Sequence, residues 1–253
     1  MNIFRIAFIA IRELLYERVF YIFLSFSLMS LGLSLLLGQM TYAEQSKLTL
    51  DFMLAGIQIS MTLFSVFVGI SLFQKEIQTG SVSMVLSKPI SRGTFLLGKF
   101  LGQVTVQLVV TALMAAFTIW VCRSYGLVSI PAVLQCVFLI SLEVCLLTAV
   151  TYFFAVNSGA MTTAVVGLCF FAIGHLRAGF AKNFAAKDGT SFIWTISQSV
   201  IPDLEVFNSK ALASYGLLSS TTEVTWALTY ALICIVFFLS LAVVCFNQKD
   251  ILT

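Results

Sequence analysis

KEIQTGSVSMVLSKPISRGTFLLGK, Lys75–Lys99, lies between two long apolar runs, and how it is read decides the fold. It carries four basic residues (Lys75, Lys88, Arg92, Lys99), one acidic residue (Glu76) and Pro89 near its middle. A residue that precedes proline is driven out of helical geometry, and here that residue is Lys88. QKEIQTGSVSMVL therefore reads as the end of an arriving helix, up to Leu86, and SKPIS as a break. Ser91 can cap a second helix that leaves through RGTFLLGK. The product is a helix–break–helix elbow with a basic tip. Neighbouring helices in a bundle are commonly joined by about two to eight residues, so a stretch this long offers a surface to a partner.

The medium around the elbow follows from composition. The 253 residues are 60% hydrophobic and only 10% charged, with a mean hydropathy of +1.03. Soluble domains carry about 25% charged residues, so this chain belongs in a membrane. A net charge of +3, scattered along the chain, gives no footprint for nucleic acid. Cys122, Cys136, Cys145, Cys169, Cys234 and Cys245 fall within or at the ends of apolar runs without any CxxC pair. They read as small hydrophobes, and no metal site is expected.

Six segments approach the ~20 apolar residues that a crossing needs: Val19–Gly38, Phe52–Phe73, Phe100–Cys122, Pro131–Val156, Ala160–Leu176 and Val224–Phe246. The fifth is the shortest and ends in His175 and Arg177. Thr41-Tyr42-Ala43 resembles a signal-peptidase site, but the apolar run before it exceeds the ~7–15 residues of a signal core and follows Glu13 and Glu17, so it reads as an anchor. Arg5, Arg12 and Arg18 with the four basic residues of Lys75–Lys99 outnumber Lys47 and Arg123 in the opposite short loops. The positive-inside rule then puts both termini and the elbow in the cytoplasm. Arg177, Lys182, Lys187 and Lys210, in a long external loop, run against the tally.

Phe4, Phe8, Ile11 and Leu15 recur at helical spacing, with Arg5 and Arg12 on a neighbouring face. Residues 1–18 are thus expected to form an amphipathic helix in the membrane interface, with lipid as its partner; the alternative is a plain lead-in to the first span. GQMTYAEQSKLTLD, RSYGLVSI and NSGAM are short connections. Residues 178–223 are expected to form an external loop in which FIWTISQSVI, with Trp194, is interfacial or re-entrant. PDLEVFN follows, with Pro202 suited to the first turn of a helix. No separate soluble domain is visible, so residues 1–253 read as one transmembrane domain.

The run F-x-x-E-I-x-x-G-x-x-x-x-x-L-S-K-P-I-S-R-x-x-F-L-L-G-K-F-L-G, Phe73–Gly102, resembles the signature region of ABC-2-type permeases, the transmembrane halves of ATP-driven exporters of the ABCG-like (type V) class. It is most similar to bacterial permeases grouped with multi-copper enzyme maturation systems. The resemblance extends to GQMTYAEQSKLTLD and PDLEVFN. It implies an all-α integral membrane protein with six transmembrane helices, an N-terminal amphipathic interfacial helix, a cytoplasmic coupling helix and external re-entrant helices before the last span. Residues 75–99 would be the coupling loop, with Glu76 and Gly80 at its top, Lys88, Pro89 and Arg92 at its tip, and Gly98 and Lys99 at its return to the membrane. Arg5, Arg12 and Arg18 would belong to the interfacial helix, and Glu76 could pair with Arg12 or Arg18. Trp194, Pro202, Asp203, Glu205 and Asn208 would belong to the external gate, residues 178–223. Also implied are two copies of a separate ABC ATPase, which would hold ATP and Mg, a second permease half giving a homodimer, an accessory or periplasmic partner, and the bacterial cytoplasmic (inner) membrane.

Glu143, near the middle of the fourth span, is a functional candidate by default, because a charge there costs about 2.5–3.5 kcal/mol on insertion scales. It could hydrogen-bond across helices, for example to Gln58, Gln103 or Gln107, or it could line a cargo or proton path. Ser158 and His175, at opposite ends of a span, cannot form a nucleophile–base pair. No GxxxxGK[ST] loop occurs, so ATP hydrolysis is expected in another subunit and none in this chain. The expected function is the permease subunit of an ATP-driven exporter, non-catalytic itself, with mechanotransmission to an external partner as a variant. The rivals are an ATP-independent secondary carrier or channel with Glu143 in its pathway, and an integral-membrane enzyme. The enzyme would need converging titratable groups that the sequence does not display.

Overall fold

A computed structural model describes residues 3–39, 45–78, 91–124, 129–184 and 202–248. The described residues are all-helical: α1 (Ile3–Tyr16), α2 (Arg18–Gln39), α3 (Gln45–Gln78), α4 (Arg92–Ser124), α5 (Ile130–Asn157), α6 (Ala160–Phe184), a 3-10 turn (Glu205–Phe207), α7 (Lys210–Ser214) and α8 (Thr221–Gln248). Five of them, α2, α3, α4, α5 and α8, are long and apolar enough to cross a membrane, and α6 carries a shorter apolar stretch, Ala160–Leu176. At 1.5 Å per residue, α3 and α4 are about 50 Å long, well beyond the ~30 Å of hydrocarbon. Both legs of the elbow are therefore continuous with spans. α4 starts where Ser91 was expected to cap it: its hydroxyl accepts from Thr94 N at 3.2 Å. Gly80, Lys88 and Pro89 lie outside the described residues, as do Trp194, the side chain of Glu76 and hence its expected pairing with Arg12 or Arg18.

α5 is the axis of the bundle. Its buried residues run almost its whole length, from Ala132 to Val156, and α3, α4, α6 and α8 all pack against it. It ends with Ser158 N donating to Phe154 O at 2.8 Å, and α6 begins with Thr163 N donating to Gly159 O at 3.0 Å. So tight a turn sends α6 back alongside α5. Leu28, Met29 and Leu33 on α2, Val109 and Leu113 on α4, and Ile233, Val236 and Phe237 on α8 point outward, as apolar side chains do where lipid is the solvent.

α1 departs from its expected register. The row that packs inward is Ile6, Ala7, Ala10 and Leu14, while Phe4 is 81% exposed and Phe8 and Leu15 are exposed too. The reason lies on α4, where Gly98 and Gly102 form a groove one turn long. A Cβ on Gly98 would sit 2.6 Å from Ile6 Cγ2, and one on Gly102 only 2.7 Å from Ala10 Cβ and 2.8 Å from the Ala7 carbonyl oxygen. Backbones this close admit small side chains only, so the aromatic row faces away from the bundle. An ion pair between the half-buried Glu13 and the buried Lys99 closes the same interface.

Gly102→Val is expected to prise α1 off α4, because the Ala7 carbonyl cannot yield. Overpacking of this kind costs roughly 1–3 kcal/mol. A lower melting temperature with new protease sensitivity in α1, and an unchanged remainder of the bundle, is the expected result.

Candidate functional site

Gln58, Glu143, His175 and Lys210 meet at the end of the bundle that carries α7. Glu143 on α5 is 1% exposed and Gln58 on α3 is 2% exposed. Gln58 Nε2 donates to Glu143 Oε2 at 2.7 Å and lies 2.6 Å from Nε2 of His175 on α6. Lys210, the first residue of α7, donates from Nζ to Gln58 Oε1. Charge fixes the orientation of the carboxamide: its carbonyl faces the ammonium and its NH2 faces the carboxylate, so both contacts are charge-assisted. Gln58 thus joins a cation from outside the spans to an anion in their midst. Glu143 Oε1 and His175 Nδ1 remain buried without a hydrogen bond, with Oε1 3.3 Å from His175 Nε2.

The segment leading into α7 is well anchored. Leu204 sits in the notch left by Gly174, where a Cβ would come 2.6 Å from Leu204 Cγ, and Leu204 and Phe207 are fully buried. Asp203 N donates to Tyr230 Oη at 2.8 Å. Pro202 was expected in the first turn of a helix, but it precedes the 3-10 turn by three residues. Asp203 starts the turn instead, its Oδ1 accepting from Glu205 N at 3.0 Å, as Asx turns do. Glu205 Oε1 accepts from Asn208 Nδ2 at 2.9 Å. Asp203 and Glu205 both lie in electrostatic range of His175. Two of the residues expected in the external gate, Asp203 and Glu205, therefore lie near the Glu143 cluster. Beside them opens a cavity of about 270 Å³, lined by Leu139, Ser209, Leu212, Glu223, Val224 and Trp226 among others.

Sequence reasoning named Glu143 and offered Gln58 as a partner; it missed His175 and Lys210 in these roles. A signal for Lys210 existed, since it is one of the basic residues that run against the positive-inside tally. A cation turned inward onto the buried Gln58 carboxamide does not stay with the loop's solvent-facing charge.

The opposite end of the bundle gathers the return leg of the elbow. Arg92 Nη1 donates to Phe246 O at 2.9 Å and to Asn247 O at 3.3 Å, its guanidinium lies 5.8 Å from the Phe246 ring centroid, and Phe95 stacks on the same ring. Arg92 thus satisfies carbonyls that the last turn of α8 leaves open. Lys99 is buried against Glu13, while Arg5, Arg12 and Arg18 are exposed.

The family model described as ABC-2 family transporter protein matches residues 30–251. The chain therefore belongs to the ABC-2 transporter family, as a multi-pass membrane component whose members generally work with an ABC ATPase. A search of curated proteins finds no match.

Three outcomes follow from the geometry. Glu143→Ala leaves the buried Gln58 NH2 without its acceptor and should destabilise the protein by roughly 1–3 kcal/mol, the cost of an unsatisfied buried donor. A thermal double-mutant cycle of Glu143→Gln with Lys210→Gln should show coupling of about 0.5–3 kcal/mol. Arg92→Ala should increase hydrogen exchange in the last turn of α8 and leave that of α5 unchanged.

Proposed function

We propose that the chain is the permease subunit of an ATP-driven exporter in the bacterial cytoplasmic membrane, with its ATPase docked on the Lys75–Lys99 elbow. The observation that carries this reading is the family match over residues 30–251. It is supported by an elbow whose two legs continue spans α3 and α4. A rigid contact at the tip would pass on nucleotide-driven closure of the ATPase, because both legs are long helices. α6, returned alongside α5 by a tight turn, would be the sixth crossing, and both termini would face the cytoplasm. α1 would lie in the interface, its outward Phe4 and Phe8 in acyl chains and Arg5 and Arg12 at headgroups. Two permease halves with two ATPases would make the working transporter, and the run through Phe73–Gly102 favours the group associated with copper-enzyme maturation. Moving an external partner without passing cargo through the membrane is a variant of the same machine.

The buried Gln58–Glu143–His175 cluster favours one second reading, an ATP-independent carrier with Glu143 in its path, because titratable groups inside spans mark ion and proton routes. The two separate cleanly. The chain is tagged in its host, purified in mild detergent, and its companions are identified by mass spectrometry. A stoichiometric ABC ATPase, lost in Lys88→Glu at unchanged thermal stability, supports the motor reading. Charge reversal at Arg92 should lose the ATPase and lower stability as well, given its carbonyl contacts. A solitary, stable permease that moves cargo in ATPase-free vesicles would replace the motor reading with the carrier.

A further inference from the structure

We infer that the Gln58–Glu143–His175 cluster is a binding site for an organic ammonium group, occupied here by the protein's own Lys210, and that the transported molecule is an amphipathic amine. The inference rests on the chain being a transporter and names the class of its cargo.

The first argument is charge. A carboxylate 1% exposed on a membrane-spanning helix needs a cation at hand. Among the described residues the cation comes from the flexible side chain of a five-residue helix outside the spans. Without it, Gln58 Oε1 and Glu143 still present acceptors, and Glu143 Oε1 has no hydrogen bond even when Lys210 is in place. The site therefore has room in its bonding for a further N–H donor.

The second argument is position. The cavity of about 270 Å³ is lined by Ser209, the residue before Lys210, and by Leu139, one turn before Glu143 on α5. One turn is about 5–6 Å, so the cavity opens about that far along α5 from Glu143, and a cationic head would pass from it into the place that Lys210 vacates. The walls suit an apolar tail: Val206, Leu212, Val224 and Trp226 supply hydrocarbon and an indole, and Glu223 stands among them as the lining carboxylate. The volume is just under the ~300–1,000 Å³ of drug-sized pockets, so the tail it takes is short.

The third argument is that Lys210 has somewhere to go. Ser214, one turn on and on the same face of α7, lies 3.5 Å from Asp51 Oδ1, and Asp51 is on α3 seven residues before Gln58. A displaced ammonium can swing to that carboxylate while Leu204 and Phe207 keep the segment seated. Exchange of one ammonium for another keeps the charge of the buried site constant throughout. Asp203 and Glu205, near His175, add to the negative potential that draws a cation in.

The test needs no ATPase, so its failure is distinguishable from failure of the motor reading. The purified chain is placed in phosphatidylcholine nanodiscs and titrated calorimetrically with octylamine, octanol and octanoate, and empty discs are subtracted. Octylamine should bind saturably, and octanol and octanoate should not. Glu143→Gln should weaken octylamine binding about tenfold or more, the worth of one charge-assisted contact. Lys210→Gln, which removes the competing ammonium from outside the spans, should tighten it about tenfold. Octanol binding as well as octylamine, Lys210→Gln leaving affinity unchanged, or the absence of saturable binding in that variant would each overturn the inference. Because Lys210 stands on α7, outside the spans, Lys210→Gln replaces no span residue and decides the matter even where Glu143→Gln fails to fold.

Discussion

The Gln58 carboxamide, held between the ammonium of Lys210 and the carboxylate of Glu143, is the contact on which the α7 end of the molecule depends. Glu143 lies on α5, the helix against which α3, α4, α6 and α8 pack, so its charge cannot be left in hydrocarbon and cannot move to the surface. The fold meets this constraint with residues from three other elements. α3 brings Gln58, α6 brings His175, and the segment before α8 turns back to deliver Lys210. Leu204 in the Gly174 notch fixes that segment close to the residue next to His175. The placement of α7 is therefore the consequence of a buried charge as much as of apolar packing.

The same logic runs further along the bundle in milder form. On α4, Lys99, Gln103, Gln107 and Thr111 recur every four residues and are all buried, so one stripe of that helix is polar from Lys99 to Thr111. Gln103 donates to Ser65 O at 3.0 Å, and the Thr148 hydroxyl lies 2.9 Å from Ser65 Oγ and 3.0 Å from Gln107 Oε1. In lipid, where apolar contact gives helices little reason to prefer one another, such cross-helix hydrogen bonds and small residues define which faces meet. Gln103 Oε1, Gln107 Nε2 and Thr62 Oγ1 are buried on this seam without a protein partner. The α3–α4–α5 contact is polar at its centre, and it links the Glu143 cluster at one end to the Glu13–Lys99 pair at the other.

At the α1 end, three contacts converge on the return leg of the elbow: the glycine groove that seats α1, the Glu13–Lys99 pair, and the Arg92 contact with the last turn of α8. Whatever pushes on the elbow meets α1 and α8 as well as α4. Through Tyr230, α8 in turn touches Asp203 at the far end. One helix thus contacts both the base of the elbow and the segment that carries Lys210.

The sequence alone determined the class of protein: six apolar segments, a proline-broken elbow and the F-x-x-E-I-x-x-G run specify a helical membrane permease, because span length and turn chemistry are local properties. It also exposed Glu143, since a carboxylate in an apolar run is conspicuous without any partner in view. What it could not decide was which groups meet. Phe4, Phe8, Ile11 and Leu15 form a regular apolar row, yet the row that packs is Ile6, Ala7, Ala10 and Leu14, because the choice belongs to the glycine groove on α4. Arg92 reads in the sequence as a tip residue, and only the folded chain shows that α8, more than 150 residues on, supplies carbonyls that it holds. Lys210 counted as one basic loop residue among several, and only the packing of Leu204 and Phe207 turns it onto Gln58. Periodicity and composition are written residue by residue; the pairing of charges across distant helices is settled by which surfaces fit, and that exists only in the folded chain.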